Sequence, residues 1–366
     1  ESEIMDASYV AKFARLLVGY AITAKKGETI TVDGPSAAEP LLTAVYEDLL
    51  RAGAYPLLRM TPGSAVPSFF ELAQDHHLDQ VPPFETALAK AMHGSIRVMA
   101  SMNTRALSAI DPSRQARLAK ARRAVRRILL AKKWSLTLYP TEAYAQDAEM
   151  SLRDFETFVI KANFLDRKDP VAEWNKLESF HQKLIARLKN ADEIRIVGPD
   201  TDLRMSVKKR TFISSVATHN VPSGEIFTGP VEESVEGHIA YDFPVCEGGR
   251  EIDGIRLVFR GGKVVDAGAS KNEKYFLAML DMDPGARRLG EFAIGTNFGI
   301  QQFIKNILFD EKIGGTIHLA LGESYAETGG VNKSALHWDM IKDLRKGGAI
   351  YVDGKLFQKN GKFVGV

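Results

Sequence analysis

The 366-residue sequence is 45% hydrophobic and balances 48 basic against 46 acidic side chains, for a formal charge of +2. That length and composition suit two globular domains with substantial cores and exclude a disordered tail or a minimal scaffold. The near-neutral balance supplies no global field toward nucleic acid or an anionic membrane, so neither is an expected partner.

The acidic, polar residues 1–6 and the short apolar run 16–22, closely followed by lysines, read as neither an export signal nor a membrane span. Apolar residues Val10, Phe13, Ala14, Leu17, Val18 and Ala21 recur at helical spacing over 7–21, and Gly27 precedes a β-rich run at 29–32. The pattern repeats as a helix at 40–52 ended by Gly53, a strand at 56–60, a helix at 85–92 and a strand at 96–102. Strands separated by helices predict right-handed crossovers and an open, mainly parallel sheet, an α/β domain over residues 1–190.

A basic helix is expected over 113–133, containing Arg122, Arg123, Arg126 and Arg127, followed by a strand at 135–139 stopped by Pro140. Apolar residues interrupt its basic run, which favours a solvated or dimer-facing helix over a nucleic-acid patch. Asp75-His76-His77 reads as a solvent-facing helix end rather than a metal site. A long helix at 170–189, with Trp174, Leu177, Leu184 and Leu188 on its apolar side, leads into a strand at 193–197 closed by Gly198-Pro199.

Beyond Ala191 the texture changes. Short strand-like runs at 204–207, 238–243, 254–259 and 263–266 are punctuated by Gly and Pro, with helices expected near 276–280 and 298–308. Residues 191–366 are therefore read as a mixed α+β domain. Gly248-Gly249 and Gly261-Gly262 look like hairpin turns; neither opens a helix after a strand as a phosphate loop does. Cys246 is the only cysteine, which excludes an intramolecular disulfide and points to a reducing compartment, the cytoplasm.

The chemistry-bearing residues concentrate in this second domain. In Ala335-Leu336-His337-Trp338-Asp339, an extended backbone sends His337 and Asp339 to one side and Leu336 and Trp338 to the other, so imidazole and carboxylate can converge on one ion. On a single strand such a pair is more often a surface contact. His318 sits in the apolar run Thr316-Ile317-His318-Leu319-Ala320, where a titratable ring needs a partner; alone, it reads as a core histidine bonded to a backbone carbonyl. Glu225 follows Pro222-Ser223-Gly224 and precedes Ile226-Phe227, and Glu291 lies in Leu289-Gly290-Glu291-Phe292-Ala293. A carboxylate among apolar neighbours is neutralised, paired or bound to a cation; Arg287 and Arg288 are the competing partners. Together, three carboxylates and two imidazoles exceed the needs of one catalytic zinc and suit two ions sharing a carboxylate and a water.

These segments resemble the aminopeptidase T family of metallopeptidases: Asn220-Val221-Pro222-Ser223-Gly224-Glu225-Ile226-Phe227-Thr228-Gly229-Pro230, Leu289-Gly290-Glu291, Ile317-His318-Leu319-Ala320-Leu321-Gly322 and the terminal His337-Trp338-Asp339. Tyr139-Pro140-Thr141 and Gly198-Pro199-Asp200-Thr201-Asp202-Leu203 extend the likeness along most of the chain. The resemblance implies five metal ligands, Glu225, Glu291, His318, His337 and Asp339, and a catalytic tyrosine, Tyr325. It further implies two divalent ions (zinc, cobalt or manganese), peptide substrates with a free N-terminus, and a homodimer. The stretch between His318 and His337 is shorter than in the best-known members, which bears on pocket shape and substrate length. Glu291 and Glu225 are the first candidates for general base, although a carboxylate bridging two cations has little proton affinity.

Two other classes compete. A non-haem iron ring-cleaving dioxygenase of the dihydroxypyridine type, sharing the overall fold, needs two His and one carboxylate, which His318, His337 and Asp339 supply; Glu225 and Glu291 then have no cation to bind. A non-enzymatic protein with structural metal prefers a closed site, unlike this mixed oxygen and nitrogen set beside a tyrosine.

Overall fold

The computed structural model describes residues 5–247 and 250–366; the expected Gly248-Gly249 turn and residues 1–4 lie outside them. The chain forms two compact units, residues 1–173 with 217–222 and residues 174–216 with 223–366. Among the described residues no helix is long and apolar enough to cross a membrane.

The first unit is the expected α/β layer. Its sheet is parallel throughout: Thr29–Pro35 lies between Tyr55–Thr61 and Gly94–Met99, followed by Lys133–Leu138 and the two-residue strand Asn220–Val221. Ile30, Val32, Ile96 and Val98 are buried by the covering helices, as a sheet built from crossovers requires. The first helix, Ala7–Arg15, starts at Asp6, whose carboxylate accepts the N–H groups of Ser8 and Tyr9, and it buries Val10, Phe13 and Ala14.

The basic segment departs from expectation. It forms two helices, Pro112–Ala121 and Arg123–Leu130, broken at Arg122, whose guanidinium makes a bidentate pair with Glu85. Arg117 pairs with Asp75 and Asp79, and Arg114 donates to the carbonyls of Phe70 and Ala73. These arginines are consumed within the unit. His77 caps the short helix Asp75–Asp79 by accepting the Gln74 N–H, and the Asp75-His76-His77 cluster is exposed.

The second unit is mostly antiparallel. One sheet has eight strands, a two-stranded sheet pairs Val245–Glu247 with Arg250–Ile252, and a five-stranded sheet runs His337–Asp343, Thr316–Gly322, Leu289–Gly295, Glu225–Thr228, Ile213–Ser215. Ile226, Phe292, Ile294, Ile317, Leu319, Leu321, Trp338 and Met340 all belong to one buried cluster. Every one has the parity that places it on the same side of the five-stranded sheet, opposite the acids and imidazoles.

A helix expected at 298–308 is replaced by a loop ending in the short helix Ile307–Asp310. The cause is Asp310, a buried carboxylate whose two oxygens accept the N–H groups of Ile304 and Asn306 at 2.7 Å each. Those bonds offer the backbone a local alternative to helix.

Candidate metal centre

Cross-strand pairing explains why the polar side chains share one face. Glu225 stands opposite Gly295, His318 opposite Ala293, Asp339 opposite Ala320 and His337 opposite Gly322. Small partners leave the space above the sheet to the larger side chains. A register shift between Leu289 and Glu291 brings Glu291 opposite Ala320, a bulge that re-aims the carboxylate. Gly290 permits it, because a Cβ there would lie 2.2 Å from the Glu323 carbonyl oxygen. Gly224, at φ +119, turns the chain into the Glu225 strand where a Cβ would meet that of Asn297 at 2.7 Å.

All six residues singled out by sequence meet here. His318 Nε2 lies 3.4 Å from Glu225 Oε2, 3.6 Å from Glu291 Oε1 and 3.9 Å from Asp339 Oδ1. His337 Nε2 lies 3.3 Å from Glu291 Oε2 and 3.7 Å from Asp339 Oδ1. Glu291 thus presents one oxygen to each imidazole. Glu225, Glu291 and His318 offer ligand atoms within 4.8 Å of one another, and so do Glu291, His337 and Asp339. The Tyr325 hydroxyl is 3.5 Å from His337 Nε2, and its ring meets that of Phe227 edge-on.

Both imidazoles are oriented from behind. His318 Nδ1–H donates to the Glu311 carbonyl at 3.1 Å, and His337 Nδ1–H to the Glu323 carbonyl at 2.9 Å. Each Nε2 therefore faces the carboxylates, the arrangement that a ligating histidine needs. The backbone partner expected of a core histidine and the cation-facing nitrogen expected of a ligand are two ends of the same ring.

Arg287 is engaged by Asp281, and Arg288 donates to the Glu232 carbonyl. The buried partner of Glu225 is Lys312, only 1% exposed, with Nζ 2.6 Å from Oε1 and a second contact to Glu311. Sequence reasoning passed over both residues. The signal was present in Asp310-Glu311-Lys312, a charged triplet between the apolar runs Ile307-Leu308-Phe309 and Ile313. Glu311 also joins His318 and Asp339 in a third group of ligand atoms within 4.8 Å.

Burial works to lower both imidazole pKa values, yet the neighbouring carboxylates outweigh it, carrying His318 to about 9 and His337 to about 10. For Glu291 burial is likewise overcome, here by the two imidazoles, and its pKa falls to about 2. Burial dominates at Glu225 and Asp339, raised to about 7 and about 6. Lys312 is also raised, by Glu225 and Glu311 against burial, with Nζ 2.6 Å from Glu225 Oε1. The cluster favours positive charge between its carboxylates.

Two oxygens are left over. Glu225 Oε2 and Asp339 Oδ1 are buried with no hydrogen-bond partner, a costly state for carboxylate oxygens. A divalent cation between them and the Nε2 atoms satisfies both, so the residues fit a metal.

Comparison with known proteins agrees. A family model described as thermophilic metalloprotease (M29) matches residues 7–363. Aminopeptidase T of Thermus aquaticus is 30% identical over 353 residues, covering 86% of this chain and 85% of that protein. Aminopeptidase 2 of Geobacillus stearothermophilus is 28% identical over 376 residues, 90% of each. Among solved structures, wild-type AmpT from Thermus thermophilus superposes with a TM-score of 0.84 at 24% identity, over 97% of this chain and 99% of that one. The 2,5-dihydroxypyridine dioxygenase of Pseudomonas putida KT2440 shares the fold more distantly, with a TM-score of 0.57 at 15% identity over 100% and 99%.

Proposed function

The chain belongs to the thermophilic metalloprotease (M29) family and is a metal-dependent aminopeptidase; from that premise we propose that residues 191–366 hydrolyse the N-terminal peptide bond with a water shared by two divalent ions. The observation carrying the dinuclear reading is the division of Glu291, one oxygen toward His318 and one toward His337. Glu225 and His318 would then hold one ion with Glu291, and His337 and Asp339 the other. Oxygen and nitrogen donors in this ratio suit zinc, cobalt or manganese.

When bound, such a pair acidifies the shared water and polarises the scissile carbonyl. Glu291, with one oxygen toward His318 and one toward His337, would be held in common by both halves of the site. Glu225 and Glu291 would each hold an ion, which leaves little proton affinity; Glu311, in contact with Lys312 and grouped with His318 and Asp339, is the remaining carboxylate in reach and our candidate for taking the proton. Tyr325 donates its O–H to the oxyanion of the transition state. Desolvation, then the charges of Glu291 and Asp339, push its pKa up, which keeps that donor protonated.

Metal analysis of protein purified without chelator is expected to approach two divalent ions per chain, and apo-protein to regain aminoacyl-anilide cleavage when cobalt, zinc or manganese is restored. One iron per chain, with oxygen uptake on a dihydroxypyridine and no release from any anilide, would overturn the proposal in favour of the ring-cleaving chemistry of the more distant fold relative. That chemistry leaves Glu225 Oε2, buried and without a hydrogen-bond partner, with no cation to meet. We also take the protein to be a cytoplasmic homodimer, which light scattering and fractionation check.

A further inference from the structure

A cavity of about 120 Å³ opens directly against His337 and Asp339. Its remaining walls are largely apolar, supplied by Pro244, Val245, Phe303, Ile307, Trp338 and Ile341. Besides the candidate ligands His337 and Asp339, two charged residues among those described border it, and each is engaged: Asp310 accepts the N–H groups of Ile304 and Asn306, and Lys305 lies 3.6 Å from Glu251. Neither offers an unsatisfied charge to a ligand. The wall carrying Phe303 is held in place, since the Asp310 carboxylate pins its loop and the Phe303 ring stacks on Phe243 at 4.8 Å and 9°.

An aminopeptidase holds the free α-amine and the first carbonyl at its metal ligands, so the first side chain, borne on the carbon that carries that amine, must enter space adjoining those ligands. This cavity adjoins two of them. Its size also restricts the occupant: a hydrophobic cavity of about 150 Å³ admits a benzene ring, and this one is smaller. A branched or flexible aliphatic group fits, an indole does not, and a charged group there is desolvated without a partner.

We propose that this cavity is the subsite for the substrate's first side chain, and that the enzyme selects N-terminal leucine, methionine and similar medium-sized apolar residues over charged and large aromatic ones. The inference rests on the aminopeptidase reading and fails separately from it. With metal-loaded protein and a panel of aminoacyl p-nitroanilides, kcat/KM for leucine and methionine is expected to exceed that for alanine, glutamate, arginine and tryptophan by about 10-fold or more. Ile307→Trp, at a half-exposed position, should lower the leucine value about 10-fold and spare alanine; Phe303→Ala should admit phenylalanine. Cys246, the chain's one cysteine, borders the same cavity, so its alkylation rate reports occupancy without turnover. Free L-leucine should slow that labelling, and L-glutamate should not. Equal turnover of charged and aliphatic anilides, or equal protection by both amino acids, overturns the subsite while leaving the peptidase intact; release from no anilide at all removes the reading beneath it.

Discussion

The two halves of the candidate centre are built from similar residues but sealed to different degrees. On the Glu225 side, His318 and Lys312 are each 1% exposed in their side chains, and an ammonium fixes one oxygen of the carboxylate. On the other side His337 is 27% exposed, Tyr325 stands 43% exposed at the rim, and a cavity opens past Asp339. Under the proposed function, the closed half has the character of a holding site and the open half that of a working site, where substrate would reach a proposed ligand and Tyr325 together. Glu291 belongs to both.

That contrast ranks the expected damage. Glu291→Gln strikes both halves, and steady-state kinetics with metal analysis should show a loss in kcat/KM of about 10³-fold or more together with reduced metal content; full activity in this variant removes Glu291 from the mechanism. Lys312→Met strikes only the closed half by leaving buried carboxylates uncompensated. Chemical denaturation of the apo-protein should register a cost of about 3–5 kcal/mol, and Lys312→Arg should recover part of it. Tyr325→Phe strikes only the open half. There kcat should drop by about 10²-fold with metal content and stability unchanged, and a parallel loss of metal would erase the distinction between the halves.

A smaller effect tests the framework beneath the closed half. His181 is buried between Ser214, at 2.8 Å from Nδ1, and Thr296, at 2.6 Å from Nε2; Ser214 pairs with Ile226 in the strand that carries Glu225, and the Thr296 N–H donates to the Gly224 carbonyl. The Ser214 hydroxyl donates to Glu178, so Nδ1–H donates to Ser214 and Nε2 accepts from Thr296. Burial lowers the ring's pKa from 6.5 to about 4, against the attraction of Glu178. The folded state keeps the ring neutral while the unfolded chain protonates below 6.5, so this contribution is complete above pH 6.5 and lost as pH falls toward 4. Unfolding free energies from chemical denaturation over that window should decline by on the order of 1–3 kcal/mol, and less in His181→Gln; an equal decline in the variant assigns the acid sensitivity elsewhere.

Much of the architecture was legible because it rests on local periodicity. The helix-strand alternation through residues 7–139 predicted the parallel sheet, and the parity of Leu336, His337, Trp338 and Asp339 predicted which side chains share a face. Where local and distant terms compete, reading failed. The segment 298–308 has helical spacing but closes on the Asp310 carboxylate, and the basic run breaks at Arg122, where Glu85 captures its guanidinium. The helices Glu142–Asp147 and Leu152–Ala162 also went unread, although Thr141 and Ser151 cap them as sequence rules describe.

For the site itself, sequence determined the residue types, the glycines that aim them, and the strand parity that brings His337 and Asp339 to one side. Tertiary structure decided how the charges are divided: the two oxygens of Glu291 between two imidazoles, and the capture of Glu225 by a lysine 87 residues away. Periodicity is a property of neighbours along the chain, whereas charge compensation in a buried site depends on which distant strands pair and in what register. That is why ligand identities could be read in order along the sequence, while Lys312, Glu311 and the cavity beside Asp339 became visible only once the five strands lay side by side.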